Sequence, residues 1–237
     1  MVTFDLRAPS AAMLRLEMDS DVRVSTTATD VRFVGQIPGT RLPGSFTLQF
    51  GALGFQDVAN EAIMPARVAD RFVVDGNEVR LAVGVEGVNA TAAVIGQWHE
   101  AMLVYGGPPP DRREVIETVT QFAFEDSPNG MSVRPRSSGL ELYSETVKIV
   151  VDDRGSISVF GPRNSPGSVP AHAGTTTRYG EIWRAAQLPD REGSGANTYL
   201  YLIGTTTAFA EVVLDYEPVV DDETLLRWLD SISLAWA

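Results

Sequence analysis

The chain of 237 residues carries 31 acidic and 19 basic side chains, a formal net charge of −12, and 44% of its residues are hydrophobic. Nucleic acid and anionic membrane surfaces are bound by cationic stripes, so this balance argues against both and favours a basic partner or plain solubility. The absence of cysteine removes disulfides, thiolate nucleophiles and sulfur-ligated metals together, and stability has to come from packing.

The opening MVTFDLRAPS lacks the basic start and apolar run of a secretory leader, and no segment approaches the roughly 20 apolar residues that span a bilayer. The expectation is a cytoplasmic protein without a membrane span, with a virion or secreted assembly as the alternative. From Val2 to Gly35, FDL, MLRLEM, VRV and VRFVG place apolar residues two apart, the pattern of half-buried strands. Proline and glycine breaks then surround FTLQF, a strand with Phe46, Leu48 and Phe50 on one face. In FQDVANEAIMPARVA, Val58, Ala62 and Ile63 have helical spacing, and Pro65 ends a short helix. RFVVDGNEVRLAVGVEG reads as a hairpin because Asp75-Gly76 tolerates positive φ between two β-rich runs. TAAVIG and WHEAMLVY continue the sheet, and Asp111 with Glu114 is a capping pair for the helix that follows.

The Ser-, Pro- and Gly-rich run EDSPNGMSVRPRSSG sets a boundary. ELYSETVKIVV and SISVFG restart the strands around the turn Asp152-Asp153-Arg154-Gly155. Residues 161–178 hold three prolines and three glycines and read as a long surface loop. YGEIWRAAQ resumes order, PDREGSGAN is a turn, and TYLYLIG, AFAEVVLDY and DDETLLRWLDSISL end the chain as strand, strand and helix.

That last unit has a shortened counterpart in TAAVIG, WHEAMLVY and DRREVIETVTQFAF. Setting Asp111 on Asp221 puts Val115 on Leu225, Ile116 on Leu226, Val119 on Leu229, Phe122 on Ile232 and Phe124 on Leu234. One residue of slippage sets Tyr105 on Tyr216, Leu103 on Leu214 and Glu100 on Glu211. The chain therefore reads as an internal duplication of α+β class: two similar halves, each an antiparallel sheet with a closing helix, residues 1–126 and 140–237, joined by a linker at 127–139.

Chemistry-bearing residues are sparse. His99 and His172 are the only histidines, too few for a His-rich metal site. His99 lies in a strand, where a structural role is the ordinary one, and Gly167-Ser168 beside His172 lacks the nucleophile turn of a serine hydrolase. Asp152-Asp153 reads as turn chemistry, and Asp221-Asp222-Glu223 as the acidic start of a helix. Arg134 and Arg136 read as solvated linker residues, and no phosphate-cradling glycine motif is present. No catalytic residue, cofactor site or metal site is assigned. The loop 161–178 is expected to carry a partner contact through Arg163, Asn164, His172 and Arg178, because its prolines limit the freedom lost on binding.

The closing AFAEVVLDY followed by the acid-capped DDETLLRWLDSISL resembles the final strand and helix of PsbP-like domains, and its shortened counterpart implies two such domains in tandem. The resemblance implies a small α+β module that serves as an accessory subunit, lipoprotein or binding adaptor, without catalysis and without a cofactor. Two other readings stay beside it: a building block of a phage or injection-type assembly, and a hydrolase or lyase whose scattered carboxylates meet only in the fold. The partner expected is a protein or a second copy of the chain.

Overall fold

The structure is a computed structural model and describes residues 1–163, 170–188 and 195–237. In chain order the strands and helices are β1 (Val2–Arg7), β2 (Met13–Met18), β3 (Val24–Gly35), β4 (Ser45–Ala52), α1 (Phe55–Ala62), β5 (Ala66–Val74), β6 (Asn77–Gly84), β7 (Asn89–Ile95), β8 (His99–Gly106) and α2 (Arg112–Val119). They continue as β9 (Phe122–Ser127), β10 (Gly130–Pro135), β11 (Leu140–Val151), β12 (Gly155–Phe160), β13 (Thr175–Thr176), β14 (Glu181–Gln187), β15 (Tyr199–Gly204), β16 (Phe209–Leu214), α3 (Asp222–Ser231) and β17 (Ser233–Trp236). No helix among the described residues is long and apolar enough to cross a membrane.

The α+β expectation is wrong. Strands make up 53% of the structure and helices 13%, so the protein is mostly β. The helices do not close their halves either: QFAF and ISL, assigned to helix ends by their apolar residues, begin the strands β9 and β17. An apolar residue every third or fourth position inside a helix and every second position in a following strand overlap at the junction, and the periodicity does not mark where one stops.

Contacts divide the chain into two compact units, and neither follows a single stretch of sequence. A central unit comprises Arg7–Ala11 and Ala28–Glu145, and a terminal unit comprises Met1–Leu6, Ala12–Thr27 and Thr146–Ala237. Residues 127–139 carry β10, which pairs antiparallel with β9 in the central unit.

In the central unit the sheet runs β3-β4-β8-β7-β6-β5 and its pairings are antiparallel. Asp75 and Gly76 both take positive φ, 52° and 84°, as the two-residue turn between β5 and β6 demands. One face packs Phe33, Phe46, Phe50, Leu81, Val94, Leu103 and Tyr105 against Val115 and Val119 of α2 and Phe122 of β9. Phe33 and Phe122 lie with ring centroids 5.1 Å apart. Tyr105 is buried in this core, which pushes its phenol well above the ordinary value, with the bond to the Thr118 hydroxyl opposing. Helix α2 starts where expected: the Asp111 side chain accepts from Glu114 N at 2.8 Å. The Glu114 carboxylate does not return to the cap but accepts from Arg41 N and Nε at 2.7 and 3.0 Å.

The opposite face of the central sheet is covered by α1. Its spacing predicts Val58, Ala62 and Ile63 as the apolar stripe, but the buried residues are Gln56, Ala59 and Asn60. Val58 and Ile63 are 64% and 75% exposed. The inversion has a cause in β8. Glu100, 1% exposed, accepts from Gly54 N and Gln56 N at 2.9 Å each, capping a helix whose own N-cap glycine has no side chain to do so. That pins the Gln56 side of α1 inward, where Gln56 Nε2 donates to Thr91 Oγ1 at 3.0 Å and the Thr91 hydroxyl donates to Asn60 Oδ1 at 3.0 Å.

In the terminal unit the sheet runs β11-β12-β16-β15-β14-β13, and a second sheet runs β1-β2-β17. Its core gathers Ile149, Ile157, Val159, Tyr201, Ile203, Val212 and Leu214 with Leu225, Trp228 and Leu229 of α3, all buried. Asp221 caps α3 by accepting from Thr224 N at 2.8 Å, and the Thr224 side chain, with this backbone bond second, holds its carboxyl below the ordinary value. Adding eight to each strand number of the central sheet reproduces the order of the terminal sheet. Likewise α2 and β9 precede β10 as α3 and β17 end the chain, with β2 paired to β17 as β10 is paired to β9.

Replacing Glu100 by alanine removes the acceptor of two buried N–H groups and should cost about 3 kcal/mol, read as a lowered urea midpoint. Amide protection should be lost first in α1, while α2 retains its own.

Candidate functional site

Three of the four residues expected to meet a partner lie among the described residues. Arg163 and His172 are exposed, and Asn164 lies outside the described residues. Arg178, also exposed, stacks its guanidinium 5.3 Å from the centroid of Tyr179. The backbone of His172 is engaged, its carbonyl accepting from Trp183 Nε1 at 2.9 Å. The segment read as an uninterrupted loop includes the short strand β13, which pairs with β14.

His99 does find a carboxylate. Its Nδ1 lies 2.8 Å from Asp126 Oδ1, and Asp126 Oδ2 accepts from Trp98 N at 2.7 Å and His99 N at 3.3 Å. One carboxylate thus takes two backbone donors of the β7–β8 turn and the imidazole, holding that turn to β9. This is the geometry of a clamp, with the acid saturated by its bonds. Arg136 donates to Asp75 at 2.6 Å, and Asp152 and Asp153 sit at the β11–β12 turn with Asp153 at φ 59°. Among the described residues no three His, Asp or Glu side chains are placed to hold a metal.

The feature missed in the sequence is a cleft in the terminal unit. A cavity of about 650 Å³ is lined by Phe160, Tyr179, Glu181, Trp183, the Thr205–Thr207 run and Phe209, with Gly161 and Pro162 at its margin. That volume falls in the range of small-ligand and side-chain pockets. Its aromatic wall is continuous: Phe160 and Phe209 stack at 6.1 Å with an interplanar angle of 27°, and Trp183 lies 6.5 Å from Phe209. Gly204 keeps the indole in place, because a Cβ there would stand 2.9 Å from Trp183 Cζ3. Among the described residues Glu181 is the one charged residue of the lining, and its Oε2 accepts from Gly174 N at 3.2 Å.

These side chains share one sheet face because of register. Glu181 pairs with Gly204 and Gly204 with Phe209, while Trp183 pairs with Leu202. The sequence held one sign of it, aromatic residues at the ends of three separate strands. Which strands become neighbours is not written in that pattern.

The two units can be matched position by position through their turns. The β7–β8 turn closes with Gly96 N donating to His99 O at 2.8 Å, and the β15–β16 turn with Thr205 N donating to Ala208 O at 2.9 Å. This sets Glu100 on Phe209 and Tyr105 on Leu214. The match of Tyr105 with Tyr216 therefore fails in space: Tyr105 is 4% exposed inside β8, and Tyr216 is 57% exposed beyond the end of β16. Continuing across the sheet, Glu78 pairs with Ile95 as Glu181 pairs with Gly204, so Glu78 matches Glu181 and Arg80 matches Trp183. The face that α1 covers in the central unit carries no helix in the terminal unit among the described residues.

Asp126→Ala should cost about 2 kcal/mol by leaving the turn donors unpaired, and hydrogen exchange at the Trp98 and His99 amides should accelerate ahead of global unfolding. No family model matches this chain, and neither a curated protein nor a solved structure is similar to it.

Proposed function

We propose that the protein is a non-enzymatic binding or assembly protein that holds a partner in the aromatic cleft of its terminal unit. The observation that supports this most is the cleft itself: among the described residues, four aromatic side chains and one carboxylate around about 650 Å³. Aromatic rings supply large contact area at low cost in side-chain entropy, which is why they dominate binding sites. The same reading takes the chain as an internal duplication, supported by the repeated strand order and by the acid-capped helix after β8 and after β16. One copy then supplies a closed scaffold and the other a site. The likeness of the last strand and helix to PsbP-like adaptors belongs to this proposal and supplies no residue to it. A structural component of a larger assembly is the companion reading, since a duplicated chain occupies two equivalent positions.

Phe209→Ala should reduce retention of the partner by about tenfold or more, as removal of a central aromatic anchor does. Leu226→Ser, on the exposed side of α3, should leave retention unchanged, provided both variants keep the wild-type circular dichroism and melting profile. Light scattering on the purified chain separates the two readings: a monomer at high concentration speaks for a partner other than itself, and a concentration-dependent oligomer for assembly. Retention equal in wild type and Phe209→Ala would remove the cleft from the proposal.

A further inference from the structure

The two units differ at one constellation. In the central unit Glu78 holds two guanidinium groups, Arg80 Nε at 2.9 Å and Arg71 Nη1 at 3.1 Å, and Arg80 lies 3.6 Å from the buried Glu100. The hydrogen bond from Arg80 holds the Glu78 carboxyl below its ordinary value. In the terminal unit the carboxylate remains, as Glu181, while Trp183 stands where Arg80 stood and Phe209 where Glu100 stood. Among the described residues Glu181 has a backbone N–H and no ion pair. A carboxylate position that is filled by arginine in one unit is thus left beside two aromatic walls in the other. Among the described residues neither lysine nor arginine lines the cleft.

We propose that the cleft of the terminal unit receives an arginine side chain from a basic partner protein, the guanidinium pairing with Glu181 and its plane lying against the Trp183 and Phe209 walls. This deepens, and rests on, the reading of the cleft as a partner site. The chemistry favours arginine over lysine, because a planar, weakly hydrated guanidinium stacks on rings and pairs with a carboxylate at once, whereas an ammonium is a strongly hydrated point charge. Two of the unit's own arginines lie over rings, Arg184 4.4 Å from the centroid of Tyr199 and Arg178 5.3 Å from that of Tyr179. The Thr205 to Thr207 segment at the rim adds hydroxyl and main-chain acceptors for the remaining guanidinium protons. The net charge of −12 draws a basic partner from a distance, an effect that salt weakens.

The test uses the full chain and two capped peptides, one with a single arginine between glycines and one with citrulline in its place, titrated while the indole N–H signal of Trp183 is followed by NMR. The arginine peptide should shift that signal saturably, and citrulline, the neutral isostere, should bind about tenfold more weakly. Glu181→Gln should erase the preference between the two peptides without changing the melting profile. Tetramethylammonium should bind more weakly than the arginine peptide, because it cannot donate to the carboxylate. Equal binding of arginine and citrulline peptides, an unshifted Trp183 signal, or a preference that survives in Glu181→Gln each overturns the proposal. If the arginine peptide fails while Phe209→Ala still loses the natural partner, the cleft is a partner site of other chemistry and only this inference falls. If both fail, the partner-site reading falls with it.

Discussion

The arrangement of the central unit depends on a single buried carboxylate. Glu100 sits buried near the start of strand β8, where an acid without partners would cost several kcal/mol. It is tolerated because two backbone N–H groups at the start of α1 point at it and Arg80 stands 3.6 Å away. The same contacts decide which side of α1 faces the sheet. Once Gly54 N and Gln56 N are tied to Glu100, Gln56 and Asn60 turn inward onto Thr91, and Val58 and Ile63 turn to solvent against their hydrophobicity. A polar network in a low-dielectric setting is strong where its members are paired, and this one fixes the inward face of α1 although Gln56 Oε1 is buried without a partner.

The terminal unit shows what the same strand order does without that carboxylate. Phe209 takes the place of Glu100 and Trp183 that of Arg80, so the face has neither the acid that would cap a helix nor the arginine that would neutralise its remaining glutamate. What results is a ring-walled cavity with one carboxylate among the described residues, where the central unit has a partly exposed charge cluster. The strand order is shared, and the difference lies in these side chains and in α1, which among the described residues has no counterpart. An aromatic cleft stands here where the central unit has a charge pair at the two matching positions.

The chain on its own determined its strands, turns and helix starts. Alternating apolar residues marked β3, β4 and the strands around Asp75-Gly76, and the residues that tolerate positive φ marked the turns, because those are local constraints of backbone geometry. Asp111 and Asp221 were legible as caps for the same reason, since a cap needs only a carboxylate three residues before the N–H it accepts. The helix ends, the balance of strand over helix and the inward face of α1 were not legible. Periodicity records which residues are apolar and is silent on a polar tie from a strand forty-four residues away.

The candidate site belonged wholly to tertiary structure. Phe160, Trp183 and Phe209 lie on three strands distant in sequence, and only the pairing of β12, β14, β15 and β16 brings their rings to one face. The equivalence of Glu181 with Glu78 likewise depends on cross-strand partners and on where each turn closes, which sequence matching misplaced by setting Tyr105 on Tyr216. A residue's type and its local periodicity are properties of the chain, but its neighbours across a sheet are set by register, and a shift of one residue moves every side chain to the other face.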